Sequence, residues 1–126
     1  MQLHCDGLDP QASSVDSPTW QEVEKAICRL DGHKYTDMTL GGIGGDPYIA
    51  VGGGAGNYFV FIWTQDERNL ILSKCGEMEG RETLIVGGQA ADFPCRQIVE
   101  LADAVRAVHA YFITGKPDPS MTWEED

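Results

Sequence analysis

Three histidines and four cysteines give this chain the atoms that metal binding or nucleophilic catalysis would need: His4 and Cys5 beside Asp6, then Cys28, His33, Cys75, Cys95 and His109. Their spacing supports neither chemistry. Structural zinc sites draw on C-x-x-C pairs and zinc hydrolases on H-E-x-x-H helices, because each spacing sets two ligands on one side of a turn or helix. Neither pattern occurs here, so no metal and no cofactor is expected. A Cys/His pair assembled from distant segments would leave no such signature. An enzyme of that kind would be built around His33, Cys75 or His109, although His109 lies on the apolar side of its helix, where a hydrogen-bonded core or boundary histidine is the ordinary role.

Carboxylates cluster in Asp66-Glu67, in Glu77, Glu79 and Glu82, and in Glu124-Glu125-Asp126. General acid or base work needs a carboxyl desolvated enough to raise its pKa, whereas acids in turns and termini stay hydrated and ionised. These clusters read as surface charge whose use, if they meet a ligand, is to attract and orient a basic partner. Two glycine-rich stretches, Gly41-Gly42-Ile43-Gly44-Gly45 and Gly52-Gly53-Gly54-Ala55-Gly56, resemble phosphate loops only in composition. Neither completes G-x-G-x-x-G, no Gly-Lys-Ser/Thr follows, and no helix begins after them to direct its positive end at a phosphate. Flexible hairpin loops, or glycines that admit another backbone closely, are the expected roles.

The elements that would position these residues follow from periodicity. Ser17-Pro18 or the capping box Thr19-Trp20-Gln21-Glu22 starts a first helix, with Trp20, Val23, Ile27 and Leu30 on one face and Gly32 at its end. The period then changes. Short β-rich runs occupy Asp37 to Leu40, Tyr48 to Val51, Tyr58 to Thr64, Asn69 to Ser73 and Thr83 to Val86, separated by Gly, Asp and Asn. Phe59, Phe61 and Trp63 alternate with Val60 and Ile62, which predicts a central strand covered on both faces. The connections Gly52 to Asn57 and Gln65 to Arg68 suit hairpins. A second helix is predicted from about Pro94 to Thr114, with Ile98, Leu101, Ala102, Val105, Val108 and Phe112 on its apolar side and Glu100, Asp103 and Arg106 opposite. Gly115 closes it and Pro117 prevents its continuation. The expected fold is α+β, an antiparallel meander of about five strands with an N-terminal and a C-terminal helix packed on the sheet. Trp20, Phe112 and Trp123 are expected in the core.

The 126 residues suit one domain, with residues 1–16 as a loose leader and 17–126 as the folded unit. Twenty acidic residues against nine basic give a net charge of −11, which disfavours a phosphate backbone as partner and favours a basic one. Irregularly spaced cysteines and the lack of a signal-like segment near Met1 point to reduced thiols and a cytoplasmic location. No run of about twenty apolar residues is present to span a membrane.

From Ser17 to Glu124 the chain resembles the immunity protein family 1 of bacterial polymorphic toxin and contact-dependent inhibition systems. The likeness rests on the short first helix, the meander carrying Tyr58 to Trp63, the Gly87-Gly88 turn leading through Phe93-Pro94 to the last helix, and the ending Tyr111-Phe112-Ile113-Thr114-Gly115-Lys116-Pro117 followed by Thr122-Trp123-Glu124. The resemblance implies a small inhibitor that binds the toxin domain encoded beside it, with nucleic-acid deaminases and nucleases prominent among such toxins. Toxins of that kind carry basic clefts, so a strongly acidic chain could occupy one. The contact residues expected on this reading are Asp66, Glu67, Glu77, Glu79 and Glu82, with Tyr48 and Tyr58 as aromatic anchors, no direct nucleic-acid contact and no catalytic residue. Two other classes stay open: a small enzyme at the His/Cys positions above, and an acidic adaptor that binds a partner through a sheet edge.

Overall fold

The computed structural model describes residues 1–5, 14–42, 47–64, 66–74 and 79–125. Thr19 caps the first helix, α1 (Trp20–Arg29), by the reciprocal pattern its sequence promised: the Glu22 amide donates to the Thr19 hydroxyl at 3.2 Å and the Thr19 amide donates to the Glu22 carboxylate at 3.0 Å. Val23, Ala26 and Ile27 are its buried side. The connection to the sheet is organised by Asp31, whose Oδ1 accepts from the amides of His33, Lys34 and Tyr35 at 2.8–3.0 Å. These three donors hold the Asp31 carboxyl below the usual carboxylate range, with the Tyr35 amide the largest cause.

Four strands follow one another as an antiparallel meander: β3 (Asp37–Gly41), β4 (Tyr48–Gly54), β5 (Asn57–Trp63) and β6 (Asn69–Ser73). Both ends of the meander are extended. On one side β1 (Gln2–Cys5) pairs with β3, and β2 (Ser14–Asp16) pairs with β1; on the other, β9 (Thr122–Glu125) pairs with β6. The result is a seven-stranded sheet in the order β2-β1-β3-β4-β5-β6-β9, where the sequence suggested about five strands. The fifth predicted run is β7 (Arg81–Val86), which leaves the meander to form a separate hairpin with β8 (Gln89–Pro94). β1 and β2 also fall within the stretch read as a loose leader. Four- and three-residue strands bounded by polar residues give too little alternation to be seen without their partners.

The last helix, α2, runs from Leu101 to Thr114, so the predicted start at Pro94 is corrected. Pro94 ends β8, Cys95–Gln97 make a single 3₁₀ turn, and Val99 exchanges backbone hydrogen bonds with Tyr58 at 2.8 and 3.0 Å. β-branched Ile98 and Val99 are at home in that extended stretch. The buried side of α2 is Ala104, Ala107, Val108 and Tyr111; Ala102 and Leu101 are exposed, and Ile98, 5% exposed, is buried from outside the helix. Rotation toward the alanines lets the helix axis approach the sheet closely. Gly115, at φ +72°, caps the end as predicted.

Both helices lie on one face. Met38, Leu40, Ile49, Val51, Val60, Ile62 and Leu72 point from the sheet into a core shared with Val23 and Ile27 of α1 and with Ala104, Val108 and Tyr111 of α2. Trp20, Phe112 and Trp123 pack against this core, and the Trp123 indole N–H donates to the Asp118 carbonyl at 3.0 Å. Each such side chain, fully buried, is worth about 1.5–3 kcal/mol, and this layer is what makes the sheet a rigid support for whatever its other face does.

Candidate functional site

Because side chains alternate across a strand, the register that sends Ile49, Val51, Val60 and Ile62 to the helices sends Tyr48, Ala50, Gly52, Phe59, Phe61 and Trp63 to the other face. Thr39 and Asp37, opposite Ala50 and Gly52, share it. The rings form a continuous row. Tyr48 meets Phe61 edge-on at 5.9 Å between centroids, Phe61 lies 5.9 Å from Phe59, and Phe59 lies 4.4 Å from Phe93 of the hairpin. Burial of Val60 and Ile62 is complete on the helix side, as a central strand predicts, whereas Phe59, Phe61 and Trp63 are only half-buried beneath an incomplete cover.

That cover is the β7–β8 hairpin. Gly87 and Gly88, at φ +60° and +79°, make its two-residue turn, a geometry that favours glycine. The turn is fastened to the sheet by the Gly88 amide, which donates to the buried Thr36 hydroxyl at 2.8 Å. Behind it, Val86 rests directly on Gly52: a Cβ at residue 52 would stand 2.5 Å from a Val86 methyl. Between hairpin and sheet a groove of about 460 Å³ remains, floored by Thr39, Ala50 and Gly52, walled by Tyr48 and Phe61 on one side and Val86, Gly87 and Gln89 on the other, with Asp37 at its end.

The acids singled out from sequence do not form one patch. Asp66 and Glu67 occupy the β5–β6 turn, at the Trp63 end of the sheet, and both are exposed. Glu82 lines a crevice with Asn57 and Lys74 at the opposite end of β5, about 20 Å away at about 3.3 Å per strand residue. Glu79 is exposed just ahead of β7, and Glu77 lies outside the described residues. Tyr48 lies on the open face; Tyr58 is 4% exposed and belongs to the core, where its backbone also holds Val99, so it is not a surface anchor.

Several carboxylates are engaged within the chain. Arg68 donates twice to Glu125, each at 2.9 Å, and lies 3.7 Å from Asp66. Arg96 and Gln97 donate to the two oxygens of Glu124 at 2.7 and 3.0 Å. Hydrogen bonds from Gln97 and Arg96 hold Glu124 below its ordinary pKa, Arg68 does the same for Glu125, and the Thr64 hydroxyl for Asp66. This is the direction opposite to the one a general acid near neutral pH requires. His109 is exposed and stacks on Trp20 at 4.5 Å between centroids, His33 is exposed in the Asp31 turn, and Cys75 lies outside the described residues. Among the described residues, no three His, Cys, Asp or Glu side chains come together as metal ligands would.

Sequence reasoning found the aromatic strand but missed the groove. Asp37, Phe61 and Gln89 are brought together only by the strand register and the folding back of the hairpin. The available signal was Gly52: a glycine paired with Phe59 in a central strand marks a place where another element comes close. An open aromatic face on a rigid sheet is a surface that a protein partner can cover. No curated protein matches the chain. The family model for the immunity protein Imm1 matches residues 11–125, nearly the whole length, and the chain belongs to the Imm1 immunity protein family.

Proposed function

We propose that this chain binds and neutralises a cognate toxin domain that acts on nucleic acid, a deaminase or a nuclease, by occluding its basic active-site cleft in the cytoplasm of the producing bacterium, and that it catalyses nothing itself. The family match over residues 11–125 carries this reading. The net charge of −11 supplies its physical means, since a cleft shaped for phosphates attracts a dense negative surface and raises the rate of encounter. Charge alone gives weak attachment, and tight binding needs a desolvated centre of aromatic or apolar contacts. The face carrying Tyr48 and Phe61 offers that centre, with exposed Asp66, Glu67, Glu79 and Glu82 as outlying charges that guide docking.

The test is co-expression with the toxin domain encoded beside the chain, paired with a binding measurement at two salt concentrations. Cells should survive the toxin only when this protein is present, and the complex should weaken as salt rises. Death despite the protein, or survival without it, would refute the proposal; affinity indifferent to salt would refute its electrostatic part.

A further inference from the structure

We infer that the groove between the β7–β8 hairpin and the open sheet face is a receptor for a single arginine side chain presented by the toxin. The inference rests on the immunity reading and adds which surface docks and what it recognises. The described lining of the groove includes a carboxylate, Asp37, which also interacts within the chain, two aromatic rings, Tyr48 and Phe61, and the polar side chains of Thr39 and Gln89. A guanidinium is the group that uses all of these at once. Its plane stacks on aromatic faces, its five N–H donors match a carboxylate and side-chain oxygens, and it gives up hydration more readily than an ammonium. On the floor the single methyl of Ala50 leaves depth for the aliphatic stem, beside the point where Val86 closes over Gly52.

The groove is also built before any partner arrives. Phe93 on Phe59, Val86 on Gly52 and the Gly88 amide on Thr36 hold the hairpin wall at three points, while the sheet wall is backed by the core. Asp37 Oδ2 is directed at the turn, standing 3.4 Å from where a Cβ on Gly87 would be. A preformed site loses little entropy on filling, which favours one deeply held side chain over diffuse surface contact. Arginine is also the residue a nucleic-acid-binding cleft uses most readily against phosphates.

Two measurements on the full-length chain test this. In the first, NMR of the protein is followed while a blocked Gly-Arg-Gly peptide is added, with the citrulline peptide, equal in shape and uncharged, as comparison. Ring signals of Tyr48 and Phe61 should move with the arginine peptide and far less with citrulline; no movement, or equal movement, overturns the inference. In the second, affinity for the toxin domain is measured for Asp37→Asn and for Thr39→Arg, which supplies the groove with its own cation. Each should weaken binding at least tenfold with the melting transition retained, because removing one member of a desolvated charge pair is costly. Should Asp37→Asn fail to fold, Thr39→Arg decides alone. If the unaltered chain protects cells while both folded variants bind as tightly as it does, the groove is not the docking site and the immunity function stands. If the unaltered chain gives no protection, it is the immunity reading that falls.

Discussion

Substituting Gly54 and Gly56 by alanine separates backbone conformation from close approach, because the two residues share the first and differ in the second. Both have positive φ, +143° and +95°. A Cβ on Gly56 would meet nothing within 4 Å, whereas one on Gly54 would lie 2.3 Å from the Gly32 nitrogen and 2.6 Å from backbone atoms of Asp31. Those atoms belong to the turn that Asp31 organises, and Asp31 forms a bridge with Gly54 itself. Nothing flexible can yield. For Gly56→Ala the conformational cost of about 1–3 kcal/mol is offset by about 0.4–1 kcal/mol from a less disordered unfolded chain, so a net loss of about 1–2 kcal/mol is expected. Gly54→Ala adds overpacking against backbone, typically about 1–3 kcal/mol, for a total of about 2–5 kcal/mol. With a urea slope of about 1.5 kcal/mol per molar, within the usual range of about 1–3, these losses lower the midpoint by about 1 M and by about 1.3–3.3 M. Urea unfolding followed by tryptophan fluorescence reads both. Equal losses from the two substitutions, within about 0.5 kcal/mol given the extrapolation error, would show that the Asp31 turn does not constrain Gly54.

Three further outcomes follow from the same geometry. Gly52→Ala should lift Val86 and with it the hairpin, at a cost of about 1–3 kcal/mol, and hydrogen exchange should show the amides of β7 and β8 losing protection before those of the main sheet. Removing the hydroxyl in Thr19→Ala unmakes the capping box and should cost about 1 kcal/mol in thermal or urea unfolding. For pH, Asp31, Asp118, Glu124 and Glu125 all have folded-state pKa values held below their unfolded ones. Their contribution is complete above the ordinary carboxylate range, about pH 4, and disappears as pH falls through the lower folded values. Melting temperature should therefore decline below about pH 4, and Glu124→Gln should make that decline shallower; an unchanged acid slope in this variant would mean that the Arg96–Glu124 contact contributes nothing.

What the sequence disclosed was set by how local the signals were. The capping box at Thr19, the Gly115 stop and the alternation of Phe59 to Trp63 each depend on neighbours within a few residues, and the structure shows all three where they were read. β1, β2 and β9 are short and take their order from partners far along the chain, as Leu72 opposite Trp123 illustrates. The helix beginning at Leu101 was misplaced because Ile98 and Val99 fit a helical apolar spacing as well as they fit the extended stretch that Tyr58 selects. At the candidate site the same division holds. Tyr48 and the turn acids are visible as residue types, but Asp37 acquires its neighbours only when the hairpin folds back over Gly52.

A half-covered row of phenylalanine and tyrosine on a sheet invites copies of the same molecule to stack, and sheet borders invite them to add strand upon strand. The clamped carboxylates of β9 bear on this hazard. Glu124 and Glu125 occupy the last strand of the sheet, held in position by Arg96 and Arg68. Charged side chains held along an edge strand disfavour its pairing with another chain, so this border resists strand-upon-strand addition. The aromatic face can thus stay open while the β9 border offers no second route to self-association.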